Sequence, residues 1–316
     1  MHRGLPSWQL FAIAVAIWST TWHAILYQLA YTPPEAGVAL RFALAGSLAL
    51  AVAAWRGDRV RCTAVEHARI ALQGVFMYSL AYLCVYHAEK HVPTGLVAVG
   101  YSASPLVNGI GAWLLWRNPL TPRFMVGGVL CVAGVALIFA PEFAQVTAGD
   151  ATLRGALFTL GAVLLSAVGS LMSSRNARHR LPFWPTMGWG MLYSAVLSAV
   201  FLYGSGQAVS LPSPLMAPSW WLSLAYLAVA GSVIAFACYL TLQQRVGPGA
   251  ASTVGVMTPV LALVISAAFE GFRPVALTWL GGALAVVGNV LILRPPRGLL
   301  SEAPPTIAGS LPKRSP

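Results

Sequence analysis

Charged side chains are scarce in this chain. They make up 9% of its 316 residues, where a soluble domain carries about 25%. A soluble core of this size needs a charged shell, so the shortage excludes a water-surrounded fold for most of the sequence. Acids are the scarcest: eight Asp and Glu stand against 19 Lys and Arg, a formal net charge of +11. That excess does not mark a nucleic-acid binder, because the basic residues lie between apolar runs and form no stripe with interleaved aromatics. Four cysteines make no disulfide framework. Cys84, Cys131 and Cys238 fall in apolar runs and Cys62 in a basic loop, so packing is their expected role. No G-x-x-x-x-G-K-[ST] occurs, which removes P-loop ATP hydrolysis. His87, Glu89 and His91 share one loop with Lys90 but match no zinc spacing, so neither metal nor cofactor is expected. The first apolar run leads to no small-residue cleavage site, and a retained helix is expected rather than a signal peptide.

What the chain has in abundance is apolar residues, 58% of the total, with a mean hydropathy of +0.73. A bilayer core needs about 20 apolar residues per helix. Ten segments qualify: 8–27, 35–55, 69–87, 94–116, 123–140, 153–174, 184–203, 219–242, 249–269 and 275–293. Breakers separate them, among them Pro33-Pro34, Asn118-Pro119, Pro141, Pro182, Gly247-Pro248 and Arg273-Pro274. With the N-terminus in the cytoplasm, 15 of the 19 Lys and Arg fall inside, three fall outside and Arg41 lies within a helix. That bias sets the expected topology: ten crossings with both termini cytoplasmic.

The sequence also matches itself at a shift of 154 residues. Val92, Gly95 and Pro105 align with Val246, Gly249 and Pro259; Gly127, Gly128 and Gly134 align with Gly281, Gly282 and Gly288. Five segments precede the break near 141–150 and five follow it. Five is odd, so the second copy is inverted relative to the first, and such an arrangement encloses a midplane pocket between halves that rock. The expected fold is all-α and membrane-integral: ten transmembrane helices as two inverted five-helix repeats, 8–140 and 152–293, followed by a disordered cytoplasmic tail, 294–316.

Polar residues within apolar spans face protein or a wet cavity, because lipid leaves them unsatisfied. The substrate-binding candidates are Trp18, Thr21, Trp22 and His23 in the first helix and Tyr82 in the third. Tyr101, Ser102 and Asn108 come from the fourth, and Thr253 and Met257 from its copy. Pro105 and Pro259 break the backbone ladder at matching points and are the candidate gating residues. His23 and Glu270 are the candidates for proton coupling. Arg41 is expected to snorkel outward and anchor the helix end, with binding an anionic group or pairing with a partner on another helix as the alternatives; Tyr86 is expected to anchor at the membrane interface. The paired glycines are expected to allow close helix contact or to form a dimer face.

Ile17-Trp18-Ser19-Thr20-Thr21-Trp22 in the first helix, Pro34-Glu35 and Leu40-Arg41-Phe42-Ala43-Leu44-Ala45 in the second, and a Pro-containing helix followed by a Gly-Gly helix in each half resemble the EamA-type transporters of the drug/metabolite transporter superfamily. The likeness covers about residues 8–293. In that family a Gly-Glu pair often ends the fourth helix of each half; here Glu270-Gly271 stands in the second half and Trp116-Arg117 in the first. The resemblance implies a multi-pass inner-membrane protein that moves small organic solutes such as amino acids or drug-like compounds, often outward. It implies no enzyme activity. The expected partners are the lipid bilayer, a small-molecule solute and protons as a candidate coupling ion, in a monomer or homodimer. An intramembrane enzyme using the His87–His91 loop and a non-transporting receptor or scaffold are the alternatives.

Overall fold

The computed structural model describes residues 5–92, 94–140, 149–207, 211–213, 217–269 and 275–293, and among these every regular element is a helix. The first stretch holds α1 (Ser7–Leu29), α2 (Pro34–Trp55), α3 (Ala64–Gly74), a π-helical turn (Val75–Leu80) and α4 (Ala81–Glu89). Next come α5 (Thr94–Ser102), α6 (Ser104–Trp116) and α7 (Pro122–Ile138). The remainder holds α8 (Asp150–Arg178), α9 (Phe183–Gly204), α10 (Pro218–Ala228), a second π-helical turn (Val229–Ile234), α11 (Ala235–Val246), α12 (Pro248–Ala251), α13 (Val254–Phe269) and α14 (Ala276–Leu293). Prolines at the first turn of α2, α7, α10 and α12 start helices where no backbone N–H is needed. A capping box opens α3: Glu66 N donates to Thr63 Oγ1 at 3.3 Å and Thr63 N donates to Glu66 Oε2 at 2.7 Å.

Seven of the described helical rods are long and apolar enough to cross a bilayer, including the continuous rods Ala64–Glu89 and Pro218–Val246 that run through the π turns. Helix α7 is apolar but 17 residues long, and the spans around α5–α6 and α12–α13 are interrupted. The outer surface is apolar. Leu153, Leu157, Leu160, Leu164 and Val168 form an exposed stripe down one face of α8, and so large an uncovered apolar surface fits lipid rather than water.

Helices cross closely where both partners carry glycine. In α7 and α14, Gly127 faces Gly288 and Gly134 faces Gly281, an antiparallel crossing. A Cβ on Gly134 would lie 2.5 Å from Ala285 N, so no side chain fits there. Between these contacts the Cys131 thiol donates to Ala285 O at 3.7 Å; under the 154-residue shift the two residues are the same position. The glycines therefore pack within one chain. Gly282 is the exception, with nothing within 4 Å of its virtual Cβ. Helix α2 likewise runs antiparallel to α9, with Gly46 against Leu192 and Leu50 against Gly188.

The longest-range order follows the same plan. Helix α1 lies antiparallel along α10–α11, with Thr32 bonded to Trp220, Trp18 to Gly231 and Leu5 to Arg245. The α3–α4 rod lies antiparallel along α8, with Gln73 against Asn176 and Met77 against Gly169. The two π turns also coincide under the shift of 154 residues. Glu270, the 141–148 connector and the 294–316 tail lie outside the described residues.

Candidate functional site

A cavity of about 120 Å³ lies where α1, α2, the α3–α4 rod, α5–α6, α8, α11 and α13 converge. By the same measure one water needs about 10–15 Å³, so there is room for roughly ten waters or one small organic solute. Trp18, Trp22, Ile25, Met77 and Val85 supply apolar wall, and Tyr82, Tyr101, Phe236 and Tyr239 supply aromatic wall. Thr21, Arg41, Ser104, Asn108, Ser166, Ser252 and Thr258 supply the polar groups. A mostly apolar lining with a few convergent polar atoms is the usual make-up of a small-molecule site.

The aromatic groups hold one another in place. The Trp18 ring stands 5.2 Å from Phe236 and 5.3 Å from Tyr239, and its Nε1 donates to Gly231 O at 3.1 Å. Trp22 meets Tyr101 edge to face at 6.0 Å, and Tyr82 meets Phe42 at 5.0 Å. The π turn at Val229–Ile234 is stitched by Ser232 Oγ, which donates to Leu227 O at 2.9 Å. The Gly231 carbonyl in that turn accepts from Trp18 and also from Arg41 Nη2 at 3.3 Å. Irregular turns that release backbone groups in this way often mark functional sites.

The first-half helix break is at Ala103, between α5 and α6, beside Pro105. It brings Ser104 and Asn108 to the cavity wall, and Ser104 Oγ and Asn108 Oδ1 are buried there without a partner. In the second half the break falls at Ser252–Thr253, and Pro259 lies inside α13. The two prolines therefore do not mark matching breaks. Gly247 and Pro248 start the short α12 early, so the interruption comes upstream of Pro259.

Of the candidates drawn from sequence, Trp18, Thr21, Trp22, Tyr82, Tyr101 and Asn108 line the cavity. Others do not. His23 is exposed on the outer face of α1, because Trp22 and Thr21 take the inward phase. Ser102 is buried and donates to Val99 O at 2.6 Å. Thr253 donates to Ala250 O and accepts from Asn289 Nδ2 through its carbonyl. Met257 packs between two apolar clusters. Tyr86 is fully buried and donates to Gln28 Oε1 at 2.9 Å, so it is no interfacial anchor. Arg41 does not snorkel: only 1% of it is exposed. His87 and Glu89 lie in the last turn of α4 rather than in a loop; His87 pairs with Glu35 at 2.8 Å, and both His87 and His91 stack on Phe158.

The cavity residues that sequence reasoning missed carry a signal in the repeat. Under the 154-residue shift, Tyr82 corresponds to Phe236, Val85 to Tyr239, Tyr101 to Gly255 and Ser104 to Thr258. All eight line the cavity.

Fold and site together define a multi-pass helical membrane protein with a small-solute cavity at its centre. The EamA-like transporter family model matches residues 6–140 and again 153–294, and the chain belongs to that family. Relatives agree. The chain is 25% identical to the uncharacterized transporter YvbV of Bacillus subtilis, over 90% of each chain. It is 27% identical to the uncharacterized inner membrane transporter YedA of Escherichia coli K12, over 90% of this chain and 89% of that one. It is 26% identical to a probable terminal-alkyne amino-acid exporter of Streptantibioticus cattleyicolor, over 94% of this chain and 96% of that one. A solved crystal structure with 22% sequence identity shares the fold at a TM-score of 0.72, covering 91% of this chain and 96% of the other. These names describe transporters, not enzymes.

Proposed function

We propose that the chain is a secondary transporter that moves a small organic solute across the inner membrane by alternating access around the cavity. In this reading residues 8–140 and 152–293 are inverted five-helix repeats, ten helices cross the membrane and both termini are cytoplasmic. The observation that carries it is the cavity's wall, to which equivalent positions of both copies contribute: Tyr82 with Phe236, Val85 with Tyr239, Tyr101 with Gly255 and Ser104 with Thr258. A site shared by two copies changes access when the copies rock against each other. The antiparallel glycine crossing of α7 with α14, centred on Cys131 and Ala285, supports the same two-fold relation. Export is the favoured direction, in line with the relative named as an exporter. His23 is exposed away from the cavity, among the described residues the cavity wall holds no imidazole or carboxylate, and Glu270 remains the candidate coupling acid.

The test compares metabolites inside and outside cells that express the chain with cells that carry an empty vector. Transport predicts at least one solute redistributed across the membrane, and Tyr101→Ala or Trp18→Ala abolishing the effect. No redistributed solute, or one indifferent to both changes, contradicts the proposal.

A further inference from the structure

The cavity wall contains one charged side chain among the described residues, and it is a cation. Arg41 is 1% exposed. Its Nε donates to Ser232 Oγ at 2.9 Å and its Nη2 to Gly231 O at 3.3 Å. Both acceptors are neutral. Nη1 is buried and has no hydrogen-bond partner. No described carboxylate lies within 4 Å of the guanidinium. Glu35, six residues earlier, is committed to His87. Glu89 attracts Arg41 through space without bonding to it and does not line the cavity. The Tyr82 ring lies 4.7 Å from Cζ and the Phe42 ring 5.3 Å. These rings pack against the guanidinium within cation–π distance, but they do not neutralise it.

A guanidinium stays charged in a protein, and a buried charge with no carboxylate bonded to it is costly. Folding has nevertheless placed this residue on the wall of the solute space and left one of its nitrogens buried without a partner. Had Arg41 served only to tie α2 to the π turn, a neutral donor would make the same two bonds without the charge penalty. We propose that Arg41 is the anion-binding residue of the cavity and that the transported solute carries a carboxylate, held by the guanidinium. This rests on the transporter reading above and narrows it. Nη1 alone of the guanidinium nitrogens has no hydrogen-bond partner, and among the described residues no second cation lines the cavity, so the site suits a monoanion rather than a phosphate dianion. The rest of the solute is apolar or aromatic and packs against Trp18, Trp22, Tyr101, Phe236 and Tyr239. Cations are repelled by the same charge.

Binding is measured on the purified, detergent-solubilised full chain by the fluorescence of its tryptophans and by its thermal unfolding. Three probes of near-equal shape are used: 3-phenylpropionate, 3-phenylpropanamide and 3-phenylpropylamine. The expected result is at least tenfold tighter binding of the acid than of the amide or the amine. Arg41→Gln brings acid and amide to parity, and Arg41→Lys keeps part of the preference. If Arg41→Gln does not fold, the acid-to-amide ratio of the unaltered protein decides alone. Equal binding of the three probes, no binding of the acid, or an acid preference that survives in a folded Arg41→Gln variant overturns the proposal. Binding is read without flux, so its failure is separable from that of the transporter reading. Redistributed solutes that are all neutral or cationic would remove the anion site and leave transport standing; no redistributed solute would remove transport.

Discussion

At the residue scale, the decisive property is which way a polar or aromatic side chain points within a span. Trp18, Thr21 and Trp22 share an inward phase, while His23, the next residue, points away. Changing His23 to Ala is therefore expected to leave solute redistribution within twofold of normal, while Trp22→Ala lowers it at least tenfold; accumulation assays on the two variants check this. Tyr86 belongs to the scaffold. Phenylalanine there leaves the buried Gln28 Oε1 without its donor, and a loss of about 1–3 kcal/mol is expected, read by thermal unfolding in detergent. Outside the spans, burial pushes the Cys62 thiol above its ordinary value, Glu66 pushes the same way, and Arg59 partly offsets both. A raised thiol value means less thiolate at neutral pH. Maleimide should label Cys62 more slowly than free cysteine at pH 7, with the rate still climbing through the alkaline range. Among cavity residues, Trp18, Trp22, Tyr82, Tyr101 and Asn108 were legible in the sequence because aromatic and polar groups stand out in apolar helices. For Arg41 the sequence left anchoring by snorkelling and anion binding both open, because a cation near a helix start can reach water along its stem, and only tertiary packing shows that it does not. Phe236 and Tyr239 resemble ordinary core residues until the repeat aligns them with Tyr82 and Val85.

At the element scale, composition and apolar run length made the all-helical membrane fold legible, and proline positions made most helix starts legible. The π turns were not legible. Nothing in Val75–Leu80 or Val229–Ile234 departs from helix-compatible sequence, and the extra backbone residue shows only in the folded chain. The sequence points to a second-half break at Pro259, whereas the helix tolerates that proline and is interrupted at Ser252–Thr253. The Gly281-Gly282 pair gives a sharp contrast. A Cβ on Gly281 would lie 2.5 Å from Gly134 O, while one on Gly282 meets open space. Gly281→Ala should cost about 1–3 kcal/mol or prevent folding, because backbone cannot yield as a side-chain tip can. Gly282→Ala should be neutral or stabilise by about 0.5–1 kcal/mol, through helix propensity alone. Thermal unfolding of the two variants reads the difference; equal effects would mean that α7 and α14 do not cross at this face.

At the scale of the whole molecule, the self-match at 154 residues is the source of the account. It relates the two π turns, centres the α7–α14 crossing on Cys131 and Ala285, and pairs the cavity residues across the two copies. A cavity built this way opens to one side or the other as the copies tilt, provided that they face opposite ways across the bilayer. That orientation is the central claim. The most direct measurement labels single cysteines with a membrane-impermeant maleimide on intact and on opened cells, with Cys84, Cys131 and Cys238 replaced, using native Cys62 in one variant and Asp150→Cys, with Cys62 also replaced, in the other. The account predicts that the position-150 thiol reacts on intact cells and that Cys62 reacts only after the cells are opened. Reaction of both from the same side would place an even number of crossings between them and contradict the inverted pairing.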